Sequence, residues 1–213
     1  MVERQSSALP RPAAPEPVVI RGPLLPSDHP DIEAILVPRE ALAQRVAELG
    51  AEITADFASC GANEPPPLVI GVLKGALLFV ADLVRAIGIP ISVDCMRAAS
   101  YGARTISSGS VQIRQPPAEP VAGRDVLVVD MVLDTGLTLR TIDRYLREQG
   151  ARSVRYCVLV AKERDGQLPY PVDYVGFRIP DCWVVGYGGD YADRYRNLPY
   201  IGILRPEGYA GQT

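Results

Sequence analysis

Apolar positions along the chain predict most of its elements. Leu42, Val46, Leu49, Ile53 and Phe57 recur at spacings of three and four, the stripe of one helix face, and Pro38 ahead of them suits a first helical turn. Gly61 and the run Pro65 to Pro67 end that helix. Leu68 to Leu73 (LVIGVL) is a continuous apolar run, the pattern of a strand buried on both faces. Lys74-Gly75 breaks it, Ala76 to Ile87 reads as a helix, and Ile89 to Ala98 as the next strand. The polar stretch Ser100 to Gly109, rich in small residues, predicts a mobile loop, and Val111 to Ile113 a short returning strand. Asp125 to Asp130 (DVLVVD) is the clearest buried strand. A loop from Met131 to Gly136 leads from it into a helix from about Thr138 to Gln149, with Gly150 as its stop. Val154 to Val160, Tyr174 to Phe177 and Trp183 to Tyr187 read as further strands. Strands alternating with helices predict an α/β fold, a doubly wound and mainly parallel sheet flanked by helices.

Ahead of this pattern the chain changes character. Seven of its first thirty residues are proline, and residues 1–30 show neither period, which predicts a disordered tail. The 213 residues suit one domain. No apolar run approaches the ~18 residues of a membrane span, and a net charge of -3 argues against nucleic acid as the main partner. Histidine is the most restrictive count. The only one, His29, lies between Pro26 and Pro30, so histidine triads and His-ligated zinc sites drop out, and acid–base work falls to carboxylates, Lys or Tyr. The four cysteines, Cys60, Cys95, Cys157 and Cys182, form no C-x-x-C pair. With no secretory leader apparent, the expectation is a reduced, cytoplasmic protein.

Ligands of doubly wound sheets collect beyond the carboxyl ends of the strands. Lys74-Gly75, the stretch Asp130 to Thr138, and Lys162 all fall there. Within VLVVDMVLDTGLT (Val126 to Thr138) a buried strand ends in one acid, a loop carries a second, and Asp134-Thr135-Gly136-Leu137-Thr138 opens a helix. First-turn N–H groups, two hydroxyls and a permissive glycine make a phosphate receptor. An ordinary helix cap would account for Asp134 or Thr135 but not for Asp130 at the end of an apolar strand. Neither G-x-x-x-x-G-K-[ST] nor G-x-G-x-x-G occurs.

This loop resembles the phosphoribosyl-diphosphate motif of type I phosphoribosyltransferases, and the chain from Pro38 to about Arg205 is similar to the hypoxanthine-guanine phosphoribosyltransferases. Four segments carry the resemblance in order: Val72 to Gly75, Ser100-Tyr101-Gly102 with the hydroxyl-rich stretch after it, Asp130 to Thr138, and Lys162 followed by VGFRIPDCWVVGYGGDY. It implies a phosphoribosyltransferase domain over residues 31–213, with a small hood and a mobile loop. The implied reaction is purine salvage, with the phosphoribosyl group passing from 5-phosphoribosyl 1-diphosphate to hypoxanthine, and to guanine, to give the nucleotide and pyrophosphate. The implied roles are phosphoribosyl binding by Asp130, Asp134, Thr135, Gly136, Leu137 and Thr138, with Asp134 as catalytic base. Pyrophosphate falls to Leu73, Lys74, Gly75 and Arg196, with a cis peptide between Leu73 and Lys74. Ser100, Tyr101 and Gly102 form the closing loop, and the purine falls to Lys162, Trp183, Val184 and Asp190. Asp130 and Asp190 are implied as ligands of Mg2+. A homodimer or homotetramer working on small molecules, without nucleic acid or membrane, completes the expectation.

The chain departs from the family at one place: where two adjacent acids are usual, it has Asp130-Met131. Methionine offers neither a strong acceptor nor a metal ligand. A lost charge-assisted bond contributes roughly 1.5–3 kcal/mol, so weaker phosphoribosyl diphosphate binding is expected. Met131 also supports the alternative, a regulator on the same fold that senses nucleotide or phosphoribosyl diphosphate with little turnover. An RNA-binding attenuator is disfavoured, since the chain lacks a basic stripe.

Overall fold

The computed structural model describes residues 18–20, 24–58, 65–100, 111–164 and 166–205. Thirteen elements follow in order: β1 (Val18–Val19), β2 (Ile32–Val37), α1 (Arg39–Phe57), β3 (Leu68–Val72), α2 (Leu77–Ala86), β4 (Ser92–Ser100), β5 (Val111–Gln115), β6 (Asp125–Leu133), α3 (Leu137–Glu148), β7 (Ser153–Lys162), β8 (Tyr174–Ile179), β9 (Val184–Val185) and β10 (Ile201–Leu204).

Seven strands form the main sheet in the order β1-β8-β7-β6-β3-β4-β5. Every neighbouring pair is parallel except β4 with β5. The central strands are apolar runs because both faces are covered. Leu42, Val46, Leu49 and Ile53 of α1 and Phe79, Val80 and Leu83 of α2 pack with Leu127, Val129 and Met131 on one face. On the other, Leu139, Ile142 and Leu146 of α3 pack with Val126 and Val128. The chain runs outward from β3 to β4 in one direction and from β6 through β7 to β8 in the other. The order therefore reverses between β3 and β6, and a crevice opens beyond their carboxyl ends. The doubly wound sheet expected from the pattern is the fold.

A second, antiparallel sheet, β2-β10-β9, forms a hood. Its core is Ile32, Val185, Tyr191 and Leu204, and it holds the segment after Trp183 over the crevice. The hood strands β2 and β10 are absent from the pattern reading. Each is four to six residues long, and a short apolar run without clear alternation carries little period to read.

Three further differences have physical causes. Val18–Val19, within the segment expected to be a tail, adds in parallel to the free edge of β8, an open ladder that any extended β-branched pair can extend. Leu25 likewise bridges to Ile35, while residues 1–17 and 21–23 lie outside the described residues. The stretch from Met131, expected as loop, continues β6 to Leu133, because Val132 and Leu133 keep pairing with Val160 and Ala161 of β7. Tyr101 and Gly102 of the expected mobile loop lie outside the described residues, and Ser100 ends β4.

Candidate active site

The site begins where β6 hands over to α3. Gly136 is the N-cap residue at φ 77° and ψ -1°, a left-handed conformation that glycine adopts without steric cost. A Cβ there would also stand 2.6 Å from that of Tyr170, so both backbone and neighbour require glycine. No side chain caps the helix; the Thr135 hydroxyl stands 3.5 Å from the Leu137 N–H. Apart from that long bond from Leu137, the first turn keeps its N–H groups and the positive end of its dipole for an external anion. Asp134 stands immediately before this turn.

Beside it lies the carboxyl end of β7. Lys162 is 11% exposed, and its Nζ stands 3.5 Å from Asp134 Oδ2 and 3.3 Å from Asp181 Oδ1. Arg164 completes the group. Its Nη2 donates to Asp134 Oδ1 at 2.7 Å, its Nη1 to the Asp134 carbonyl at 2.9 Å, and its Nε to Asp181 Oδ2 at 2.9 Å. The Arg164 bond, ahead of the other contributions, holds the Asp181 carboxyl below its usual range. Trp183, 36% exposed, meets Tyr191 edge to face at 5.5 Å and forms one wall of the opening with Val184.

At the opposite end the turn after β3 faces the hood. The Leu73-Lys74 peptide is cis. Gly188, at φ 102°, brings its backbone so close to Gly75 that a Cβ would lie 2.1 Å from the Gly75 carbonyl. Asp193 ties the two segments: its carboxylate accepts from Lys74 Nζ at 3.0 Å and from Arg196 Nη2 at 2.7 Å. Arg196 also pairs with Asp190 at 2.8 Å and donates to the Gly188 carbonyl at 2.7 Å. The second Asp190 oxygen accepts the Asp193 N–H.

Between these ends is a cavity of about 220 Å³ lined by Gly75, Asp130, Met131, Val132, Asp134, Lys162, Trp183, Val184, Gly189 and Asp190. Seven of the residues singled out in the sequence thus share one opening: Gly75, Asp130, Asp134, Lys162, Trp183, Val184 and Asp190. Lys74 and Arg196 join it through Asp193, and Thr135, Gly136, Leu137 and Thr138 through the turn before α3. Burial pushes the Asp130 carboxyl up to about 7, opposed by the Met131 N–H that donates to its Oδ1 at 2.7 Å. Met131 is 2% exposed. Successive side chains of a strand point to opposite faces, and Met131 lies on the α1–α2 side with Leu127 and Val129.

Three participants escaped the pattern reading: Arg164, Asp181 and Asp193. Each had a signal. Arg164 is two residues past Lys162 at the carboxyl end of a buried strand, Asp181 falls two before Trp183, and Asp193 is one helical-style step before Arg196. For Arg164 and Asp181 that signal is a charge just past the end of an apolar strand of a doubly wound fold; Asp193, between β9 and β10, carries only its spacing from Arg196.

Comparison with known proteins gives the family. Residues 35–192 match the phosphoribosyl transferase domain family. The chain is 44% identical over 179 residues to a hypoxanthine-guanine phosphoribosyltransferase of Bacillus subtilis, an alignment covering 84% of this chain and 97% of that one. It is 45% identical over 180 residues to the enzyme of that name from Mycobacterium tuberculosis, covering 84% and 89%. A crystal structure of a Staphylococcus aureus hypoxanthine phosphoribosyltransferase superposes with a TM-score of 0.75 at 37% identity, covering 84% of this chain and 95% of that chain. With the cavity at the sheet's switch point, an uncapped helix before it and this extent of likeness, the chain belongs to the phosphoribosyltransferases and, among them, to the hypoxanthine-guanine phosphoribosyltransferases.

Proposed function

We propose that this cavity carries the phosphoribosyl group from 5-phosphoribosyl 1-diphosphate to hypoxanthine, and to guanine, releasing pyrophosphate. The observation that carries the reading is the pairing of a carboxylate and an ammonium, Asp134 and Lys162, 3.5 Å apart beside an exposed indole and directly before an uncapped helix. A flat heterocycle stacked on Trp183 would meet a donor in Lys162 for its 6-oxo group and an acceptor in Asp134 for its N7 proton. The first-turn amides of α3, with Thr135 and Thr138, would hold the 5′-phosphate, and the Val184 carbonyl the far purine edge.

Displacing pyrophosphate builds positive charge on the ribose and negative charge on the leaving group. Lys74, Arg196 and the amides of the Leu73 to Gly75 turn would receive the leaving group, and preorganised donors of this kind cost no reorganisation when charge develops. Asp193 now holds both cations, so pyrophosphate would take the place of its carboxylate. The loop of Ser100, Tyr101 and Gly102 would exclude water during transfer.

The donor set suits Mg2+. Asp130 has one partner among the described residues, the Met131 N–H, and its buried carboxyl gains by meeting a cation. Both Asp190 oxygens are already engaged, so Asp130 would meet the ion more readily than Asp190. Among the described residues no group of three or more His, Cys, Asp or Glu gathers, as suits an ion that takes one or two carboxylates and completes its shell with substrate oxygens and water. When bound, the ion would neutralise the pyrophosphate leaving group.

No described helix is long and apolar enough to cross a membrane, and Cys95, Cys157 and Cys182 are free thiols. The proposed enzyme is a cytoplasmic dimer or tetramer of the 31–213 domain, a reading that rests on the family likeness. Nothing in the site favours the sensing regulator. The deciding experiment supplies hypoxanthine, phosphoribosyl diphosphate and magnesium and follows nucleotide formation. Steady turnover is expected; no product with saturating substrates would refute the proposal.

A further inference from the structure

We propose that Arg164 is a positioning residue for Asp134, fixing the orientation of the acceptor that meets the purine; this rests on the function proposed above. Two cations and two carboxylates close a ring at the purine end. Asp134 offers Oδ1 to Arg164 and Oδ2 to Lys162, and Asp181 offers Oδ2 to Arg164 and Oδ1 to Lys162. The ring is neutral, and each acid is held from two sides.

Arg164 does more in this ring than balance charge. Its Nη2 bonds the Asp134 side chain and its Nη1 the Asp134 carbonyl, at 2.7 and 2.9 Å. One rigid plane therefore fixes both the carboxylate and the peptide that leads into Thr135 and Gly136. The third bond, Nε to Asp181, sets the plane itself. The arginine is anchored at its base as well: Arg164 and Gln167 exchange backbone hydrogen bonds at 3.2 and 2.9 Å, a tight turn directly after β7. β7 thereby controls the geometry of the β6–α3 junction through one side chain.

Without Arg164, Lys162 alone faces two carboxylates. Asp134 is then free to turn about its side-chain bonds, and Lys162 is drawn from the position where it would meet the purine oxygen. A misplaced acceptor loses rate more than ground-state affinity. The side chain of Arg164 is 42% exposed, so its replacement is expected to leave the fold intact.

The test compares wild type, R164Q and R164K for urea midpoint, kcat, and KM for hypoxanthine. R164Q is expected to unfold at the wild-type midpoint, with kcat down about tenfold or more and KM changed by less than about threefold. R164K keeps the charge but cannot bond two atoms of Asp134 in one plane, so its kcat is expected to stay at least about fivefold below wild type. An unchanged kcat in R164Q, or full recovery by lysine, would overturn the positioning role while leaving the enzyme reading intact. Loss of kcat in proportion to loss of folded protein would assign Arg164 to structure alone, and R164K carries the comparison if the glutamine variant does not fold. A wild type without turnover sinks the enzyme reading and this inference with it.

Discussion

Met131 and Gly189 offer a direct test of how the pyrophosphate turn and the hood are joined. A Cβ added at Gly189 would stand 2.8 Å from Met131 Cε and 3.1 Å from its Sδ, against the ~3.5–4.0 Å at which carbon atoms rest. The thioether is the flexible end of its side chain, but at 2% exposure within the cluster of Leu127 and Val129 it retreats only against packed neighbours. Gly189→Ala should therefore cost about 1–3 kcal/mol as overpacking. Met131→Ala should cost about 2–5 kcal/mol as a buried cavity. In the double variant the added methyl enters the space the thioether left, with the Gly186 carbonyl at 3.2 Å beside it. The alanine at 189 should then cost less than about 0.5 kcal/mol, a coupling of about 1–2 kcal/mol in favour of the pair. Urea unfolding of the four proteins, with a constant m-value, measures it. Additive costs within about 0.5 kcal/mol would show that Met131 does not form the floor beneath Gly189.

Gly136→Ala forces an L-residue to φ 77° and drives its Cβ against Tyr170, so a loss of at least about 2 kcal/mol by denaturation, with a clear rise in KM for phosphoribosyl diphosphate, is expected; wild-type values in both would refute the receptor geometry. Asp134→Asn should cut kcat by roughly 10²–10⁴ while nucleotide affinity changes far less; equal losses in turnover and affinity would remove its role as base. For Asp130 the folded carboxyl is raised from 3.8 to about 7 by burial. Between those values the unfolded chain releases this proton first and the folded chain keeps it, so the group's contribution to stability falls as pH rises through that window and is constant above it. In chelator, the stability difference between wild type and Asp130→Asn should shift against wild type from pH 4 to pH 7; a pH-independent difference would show that Asp130 is well solvated.

Much of the site was legible because its parts fall at the ends of the apolar strands. The boundaries of β3, β6 and β7 mark where a buried run stops, and in a doubly wound sheet that is also where ligands collect. Lys74, Asp130, Asp134 and Lys162 are therefore readable one strand at a time. The partners that set their geometry are not. Arg164 reaches Asp134 across thirty positions and Asp193 reaches Lys74 across 119; those contacts exist only once the sheet order and the hood have brought separate loops together. The hood itself was illegible for a related reason. Ile201–Leu204 becomes a strand by pairing with β2 and β9, and neither partner is near it in the chain.

Met131 shows how such assembly changes the meaning of a residue. In the linear motif it is a missing acid, a ligand lost from the ribose and metal end. In the fold it is an apolar floor shared by the Gly75 turn and the Gly189 segment, on the face of β6 that packs under α1 and α2. A carboxylate at 131 would enter this apolar floor among Leu127 and Val129, where burial opposes its ionisation. One acid at the end of β6 leaves a single charge to be satisfied by substrate hydroxyls or a cation, while the thioether keeps the loops on either side seated. The side chain at 131 therefore serves packing between the Gly75 turn and the Gly189 segment, and Asp130 is left as the one acid at the end of β6.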